Sequence, residues 1–160
     1  MYDFAADPTQ PKAEFYRELL QAADALTAGE PDAIANMANV AALLWQLVPE
    51  LNWAGFYRLI DGELVLGPFC GKPACIRIPL GQGVCGTAAA RRESQRVADV
   101  HAFPGHIACD AASRSELVIP ILRDGSVLGV IDLDSPRPGR FDSDDQEGIE
   151  ALAALLASRL

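Results

Sequence analysis

The chain has 160 residues, half of them hydrophobic, and carries a formal net charge of −9 at pH 7. This length and hydrophobic content suit one domain with a substantial buried core. The acidic balance provides no basic face, so we expect neither a nucleic-acid nor a membrane partner. No apolar run reaches transmembrane length, and residues 1–10 lack the basic and apolar regions of a signal peptide, so we expect a cytoplasmic protein.

Hydrophobic periodicity predicts helices at both ends of the chain. Residues 11–28 carry an apolar stripe at helical spacing, and a second helix begins at Pro31 and ends at Pro49. Asp142 or Ser143 is the predicted N-cap of a final helix, which has acidic residues in its first turn.

The middle of the chain is rich in β-branched and aromatic residues. Six such runs predict β-strands, at residues 52–60, 63–66, 74–78, 95–98, 117–122 and 127–133. The pairs Asp61-Gly62 and Asp124-Gly125 predict hairpin turns, whereas residues 67–73 are predicted to form a loop.

These elements predict an α+β fold with a central antiparallel sheet of about six strands. Helices should pack on one face of the sheet, and functional loops should lie on the other. We expect a single domain over residues 1–160. Its predicted parts are N-terminal helices at about 11–48, the sheet and site loops at about 52–134, and a C-terminal helix at about 143–158.

A stretch without helical or strand periodicity runs from His101 to Glu116 and contains both histidines and Cys109. A loop of roughly fifteen residues is long for a compact domain, and such loops are usually functional or disordered. The turn at Phe103-Pro104-Gly105 and the apolar pair Ile107-Ala108 favour an ordered loop. We interpret Cys109 as the working residue of the protein.

The four cysteines favour chemistry over structural disulfides in a cytosolic chain. Cys75 comes at the entrance to a predicted strand. Cys85 comes at a predicted helix start, where free N–H groups and the helix dipole favour a thiolate. Cys70 has no charged neighbour nearer than Lys72, and we interpret it as a small buried hydrophobe.

Two motifs could indicate a cofactor or a metal. The run G-x-G-x-x-G from Gly81 to Gly86 matches a dinucleotide fingerprint, but no βαβ unit surrounds it. We therefore predict a tight turn with close backbone approach, and no cofactor. The histidines and cysteines lack C-x-x-C or H-x-x-x-H spacing, so we expect no metal and keep zinc as the weaker alternative.

Three carboxylates, Glu116, Asp132 and Asp134, should meet at one end of the hairpin that Asp124-Gly125 predicts. Residues two apart on a strand point to the same face, and Glu116 starts the partner strand. Acids crowded on an otherwise apolar strand repel each other unless they share a cation or a proton. The cluster favours a cationic substrate and a step that needs a proton; the alternative is a solvent-exposed strand face.

With these motifs the chain resembles the free methionine-(R)-sulfoxide reductases, small GAF-domain enzymes that reduce the free amino acid but not the protein-bound residue. The resemblance runs from about Asn52 through Asp134 and is looser across the helices. The motifs that carry it are N-W-A-G-F-Y at Asn52–Tyr57, G-K-P-A-C at Gly71–Cys75, G-V-C-G at Gly83–Gly86, F-P-G-H-I-A-C-D at Phe103–Asp110, S-x-S-E at Ser113–Glu116 and D-x-D at Asp132–Asp134.

The resemblance implies site residues. Cys109 would be the nucleophile, and Cys75 and Cys85 would serve in resolution, in an order that the residues leave open. Cys70 is outside the family pattern. The implied substrate pocket is lined by five side chains, Glu116, Asp132, Asp134, Trp53 and Tyr57. Trp53 would provide an apolar wall for the methyl group, with a plain core tryptophan as the alternative.

The implied activity is thiol-dependent reduction of free L-methionine-(R)-S-oxide to L-methionine. Cys109 would become a sulfenic acid and then form an intramolecular disulfide, which a thioredoxin-type reductant would restore to the dithiol. The resemblance implies a homodimer. The main alternative is a non-enzymatic GAF-type sensor that binds a small ligand, although a sensor does not need three loop cysteines. A zinc-binding regulatory module is the second alternative.

Overall fold

The computed structural model describes residue 7, residues 9–107 and residues 110–160. This part of the chain contains four α-helices, one short 3₁₀-helix and one six-stranded sheet. The helices are α1 (Lys12–Thr27), α2 (Ala33–Leu47), α3 (Gly83–Arg91) and α4 (Ser143–Leu156), with the 3₁₀-helix at Val100–Ala102. The strands are β1 (Trp53–Ile60), β2 (Glu63–Gly71), β3 (Arg77–Pro79), β4 (Gln95–Val97), β5 (Ser115–Arg123) and β6 (Ser126–Ser135). No helix of this part is long and apolar enough to cross a membrane.

The sheet has the order β3-β2-β1-β6-β5-β4, and every neighbouring pair is antiparallel. Asp61-Gly62 joins β1 to β2, and Asp124-Gly125 joins β5 to β6. All four residues have positive φ, between 51° and 80°, as a type I′ hairpin turn requires. The α+β fold and both predicted hairpin turns are therefore confirmed.

The predicted loop at 67–73 is wrong over most of its length, because β2 continues to Gly71. Gly67, Pro68 and Gly71 are poor strand residues, so local composition favoured a loop. Pairing with β1 overrides that preference, and an irregularity after Gly55 lets the longer strand keep its register. The strand predicted at 74–78 is observed as β3, which is shorter and begins at Arg77.

Different helices pack on the two faces of the sheet. Helices α1, α2 and α4 pack on one face, against residues such as Phe56 of β1 and Ile131 of β6. The short α3 lies on the opposite face, where Trp53 and Tyr57 of β1 and Val118 of β5 point. Because side chains alternate along a strand, β1 supplies both faces. The loops that carry the predicted site residues lie on the α3 face.

A buried ion cluster joins the start of α1 to the start of α4. The Asp145 carboxylate is 1 % exposed and accepts hydrogen bonds from Tyr16 Oη at 2.7 Å, Lys12 Nζ at 2.7 Å and Arg140 Nη1 at 3.0 Å. Asp145 also completes a capping box with the predicted N-cap, Asp142. One carboxylate therefore fixes the position of two helices.

Asp145→Ala is expected to lower the free energy of unfolding by about 3 kcal/mol, because Arg140 and Tyr16 would lose the partner of their buried polar groups. Asp144→Ala removes an exposed acid from the same helical turn and should cost less than about 1 kcal/mol. Urea unfolding of both variants gives the two values. Equal losses in the two variants would contradict the role assigned to Asp145.

Candidate active site

A pocket opens on the α3 face of the sheet and encloses about 530 Å³, its open mouth included. Its floor is formed by β1, β5 and β6, one wall by α3, and its rim by residues 72–74 and 106–107. The predicted pocket residues and one predicted resolving cysteine line it together: Trp53, Tyr57, Cys85, Glu116, Asp132 and Asp134.

Strand register brings the three acids to one place. Glu116 of β5 lies opposite Asp134 of β6, and Asp132 lies two residues before Asp134 on the same face. Glu116 and Asp132 are each 6 % exposed, and Asp134 is half-buried. The alternative of a solvent-exposed strand face is therefore wrong, since the acids lie inside a pocket under the rim loops.

Burial raises the pKa of all three carboxyls. The pKa of Asp132 rises to about 7. The pKa of Glu116 rises well above its usual value through burial and then through the negative charges of Asp132 and Asp134, and that of Asp134 rises through burial and Asp132. Without a cation, burial therefore favours the protonated form of these carboxyls, and a bound cation would favour their ionised form.

Cys85 does not have the thiolate character that its place near a helix start predicted. Its side chain is 4 % exposed, and its Sγ lies 3.9 Å from Glu116 Oε1. Burial, followed by the negative charges of Asp132 and Glu116, raises the thiol pKa well above its usual value. These effects outweigh the helix dipole, so Cys85 is a protonated thiol against the acid cluster.

The glycine run from Gly81 to Gly86, which contains Cys85, forms the predicted tight turn. Gly81 N donates to Gly86 O at 2.8 Å. A Cβ on Gly86 would lie 2.4 Å from Pro79 O, and Gly83 has φ +61° with Ile107 against it. Only glycine allows this close backbone approach, which seats α3 against β3 and the rim of the pocket.

Two aromatic residues of β1 hold the loop that carries Cys75. Trp53 Nε1 donates to Lys72 O at 3.1 Å, and Tyr57 Oη donates to Cys75 O at 3.0 Å. Trp53 also stacks on Phe69 with a centroid distance of 5.2 Å. The two aromatics therefore line the pocket and also position the loop, while Trp53 belongs to the buried core of this face.

A polar clamp, which sequence reasoning missed, joins the two loops at the rim. Asn52 Nδ2 donates to Asp110 Oδ2 at 3.2 Å and to Ser113 Oγ at 3.0 Å, and Lys72 Nζ lies 3.3 Å from Asp110 Oδ1. A backbone hydrogen bond from Ala112 and the bonds from Asn52 and Lys72 lower the pKa of Asp110. The motifs contained these residues, but no local pattern indicated that they meet.

The cysteines of the described residues are in different states. Cys70 on β2 and Cys85 on α3 are free thiols, whereas the half-buried Cys75 is disulfide-bonded. Cys70 is half-buried instead of fully buried, because it lies near the end of β2. The predicted nucleophile, Cys109, lies outside the described residues.

The pocket also contains an imidazole and a set of metal-ligating atoms. His106 Nε2 lies 3.7 Å from Glu116 Oε2, too far for a hydrogen bond, and burial followed by the charge of His101 lowers the His106 pKa. Donor atoms of Cys85, Glu116 and Asp132 lie within 4.8 Å of one another. No spacing motif indicated this particular group, since its members come from three elements.

Comparison with known proteins identifies the family. Residues 35–160 match the GAF domain family. The chain is 54 % identical over 145 residues to free methionine-R-sulfoxide reductase of Escherichia coli, covering 91 % of this chain and 88 % of that protein. The enzyme of the same name from Saccharomyces cerevisiae is 45 % identical, covering 91 % of this chain and 85 % of that protein. The chain belongs to the free methionine-R-sulfoxide reductase family of GAF domains.

A solved structure of the family supports this assignment at the level of the fold. The X-ray structure of free methionine-R-sulfoxide reductase from Neisseria meningitidis, in complex with its substrate, superimposes with a TM-score of 0.94 at 43 % identity, covering 99 % of this chain and 95 % of that chain. The predicted resemblance and GAF fold are therefore confirmed. The six-stranded curled sheet with its four described helices is the GAF fold.

Proposed function

We propose that this protein reduces free L-methionine-(R)-S-oxide to L-methionine. Relatives that cover most of the chain bear the name of this activity, and the family to which the chain belongs is one of oxidoreductases. The observation that carries the proposal is the cluster of Glu116, Asp132 and Asp134, buried in one pocket beside the loop of the disulfide-bonded Cys75.

The acids suit the amino group of a free amino acid. Three carboxyls with raised pKa values favour a bound cation, and an α-ammonium group supplies one. A peptide-bound methionine sulfoxide has a neutral amide at that position and could not meet this demand. We propose that Trp53 and Tyr57, which stack on each other and line the pocket, contact the apolar part of the side chain.

In the proposed chemistry, the Cys109 sulfur attacks the sulfoxide sulfur while a protonated carboxyl of the pocket hydrogen-bonds to the sulfoxide oxygen. The oxygen moves from substrate to cysteine, so methionine leaves and Cys109 becomes a sulfenic acid. The two electrons that reduce the sulfoxide come from the thiol. A second thiol then condenses with the sulfenic acid, forming the S–S bond and releasing water.

We propose Cys75 as that second thiol. Its disulfide-bonded state supports the choice, and so does its half-buried position in the loop that the polar clamp holds through Lys72. Cys85 is a buried, protonated free thiol beside Glu116. This state suits a residue of the pocket wall better than a residue that takes part in thiol–disulfide exchange. Attack requires a thiolate with access to its target.

Recycling requires an external dithiol, and we propose a thioredoxin-type reductant. Exchange would transfer two electrons to the Cys75–Cys109 disulfide and regenerate both thiols. This chemistry suits a reducing compartment, so we propose the cytoplasm as the location. The proposal includes the homodimer implied by the family resemblance, which analytical ultracentrifugation would test.

The deciding experiment is turnover of each epimer of free methionine sulfoxide with a thiol reductant. Methionine should form from the R epimer alone. Saturable binding of either epimer without any methionine would instead indicate the sensor alternative, and the proposed function would be wrong.

Cys75→Ser and Cys85→Ser are expected to behave differently in a single turnover without reductant. Cys75→Ser should release methionine and stop at sulfenic acid, because the resolving thiol is missing. Cys85→Ser should still form an intramolecular disulfide. Dimedone labelling and peptide mapping distinguish the two products, with Cys70→Ser as the control. If Cys85→Ser stops at sulfenic acid while Cys75→Ser forms a disulfide, the proposed roles are reversed.

A further inference from the structure

We propose that the pocket is also a site for Zn²⁺ or a similar transition-metal ion, bound by Cys85, Glu116 and Asp132. The inference has a second half, that a bound metal excludes the ammonium group of the substrate. Only this second half rests on the proposed function. The three side chains come from α3, β5 and β6, and their donor atoms lie within 4.8 Å of one another.

The distance between two of the proposed ligand atoms is close to that of a tetrahedral zinc site. With Zn–S bonds of about 2.3 Å and Zn–O or Zn–N bonds of about 2.0 Å, neighbouring ligand atoms are about 3.3–3.5 Å apart. Cys85 Sγ lies 3.9 Å from Glu116 Oε1. The donor atoms of all three side chains lie within 4.8 Å of one another, so metal binding requires side-chain shifts of up to about one ångström. His106 is outside this group.

A second, independent observation also indicates a cation. Asp132 is 6 % exposed, lines the pocket, and its Oδ1 has no hydrogen-bond partner among the described residues. Among the described pocket residues, Lys72 is the single lysine or arginine, and its Nζ pairs with Asp110 at the rim. No lysine or arginine of the described pocket therefore pairs with this buried oxygen, and a buried carboxylate oxygen without a partner destabilises the fold.

The donor set selects the class of metal. A thiol sulfur with carboxylates suits Zn²⁺ or Co²⁺, whereas Mg²⁺ and Ca²⁺ prefer oxygen alone. On binding, the Cys85 S–H proton leaves to the buffer and an S–metal bond forms. The pocket mouth keeps one side of the metal accessible.

Co²⁺ is the probe, because Co²⁺–thiolate bonds give a charge-transfer band in the near ultraviolet. The protein is used oxidised, with Cys75 in its disulfide, so that Cys70 and Cys85 are the free thiols of the described residues. Wild type and the matched control Cys70→Ser should both show the band, displaced by Zn²⁺, and Cys85→Ser should lack it. A band that survives in Cys85→Ser, or no band in wild type, would overturn the inference.

Asp132→Asn tests the site without removing sulfur. It should keep the band but weaken Co²⁺ binding on the order of tenfold or more, since losing even an outer-shell partner costs about that much. Unchanged affinity would exclude Asp132 as a ligand and overturn the proposed site. Circular dichroism of each variant confirms that a lost signal reflects the site and not the fold.

Competition between L-methionine and Co²⁺ tests whether the metal site overlaps the site for the amino group of the substrate. L-Methionine at ten times its own dissociation constant should weaken apparent Co²⁺ affinity about elevenfold. L-Alanine, which chelates Co²⁺ through the same groups, is the control and should have a much smaller effect. If L-methionine and L-alanine weakened Co²⁺ affinity equally, the proposed overlap of the two sites would be wrong. These experiments measure binding and not turnover. A protein that binds Co²⁺ but reduces no sulfoxide would therefore contradict the proposed function and leave the metal site supported.

Discussion

Cys109→Ser is expected to abolish reduction of free methionine-(R)-sulfoxide while leaving the fold intact. Serine is close in size to cysteine, but its hydroxyl is a far weaker nucleophile near neutral pH. It also cannot form the sulfenic acid on which the proposed cycle depends. The loss should exceed three orders of magnitude in kcat/KM, roughly the scale of losing an essential nucleophile.

The matched control is Cys70→Ser, which removes a free, half-buried thiol on β2 that the proposed cycle does not use. It should turn over at close to the wild-type rate. Thermal unfolding of both variants would show whether the fold is intact. A Cys109→Ser protein that keeps near-wild-type turnover would disprove the nucleophile assignment.

The acid cluster could be predicted from the sequence because it depends on two local rules. Alternation along a strand places Asp132 and Asp134 on one face, and the Asp124-Gly125 turn pairs their strand with the strand that Glu116 starts. A one-residue register shift between Ile121 and Leu122 then brings Glu116 opposite Asp134 instead of Leu133. The pairing of the two strands is a property of one hairpin, whereas the register shift has no signal in the turn. The sequence could therefore predict that the three acids share one end of a hairpin, but neither the register shift nor the burial, which the rim loops provide.

Other features depend on contacts between elements distant in the chain. The state of Cys85 was predicted incorrectly because the helix dipole is a local property, whereas the opposing effects come from Glu116 and Asp132 on other elements. Spacing arguments against a metal failed to detect the donor set for the same reason. The length of β2 was likewise determined by its partner strand.

The acid cluster should set substrate choice, and this prediction separates a dedicated pocket from a merely reactive thiol. The free amino acid brings an ammonium to Glu116, Asp132 and Asp134, whereas N-acetyl-methionine sulfoxide brings a neutral amide. Losing a charged hydrogen bond in a desolvated pocket costs on the order of 1.5–3 kcal/mol, roughly ten- to a hundredfold in specificity. Wild type should therefore reject the acetylated substrate.

Asp132→Asn should lower kcat/KM for the free amino acid and reduce this discrimination, while stabilising the empty protein. The pKa of Asp132 rises to about 7 on folding, so ionisation of this group favours the unfolded state. The stability gained by the amide should therefore be absent below pH 4 and grow as pH rises from about 4 to 7. Asp134→Asn should also lose activity toward the free amino acid.

The measurements are kcat/KM for both substrates and thermal unfolding across this pH range, with Asp144→Asn on the exposed turn of α4 as the control. Loss of activity together with a gain in stability is the combination that a strained cation site predicts, whereas a purely structural role for Asp132 would lower both. If wild type reduces the two substrates equally well, the carboxylates do not recognise the ammonium group, and the cluster has no role in selecting the substrate.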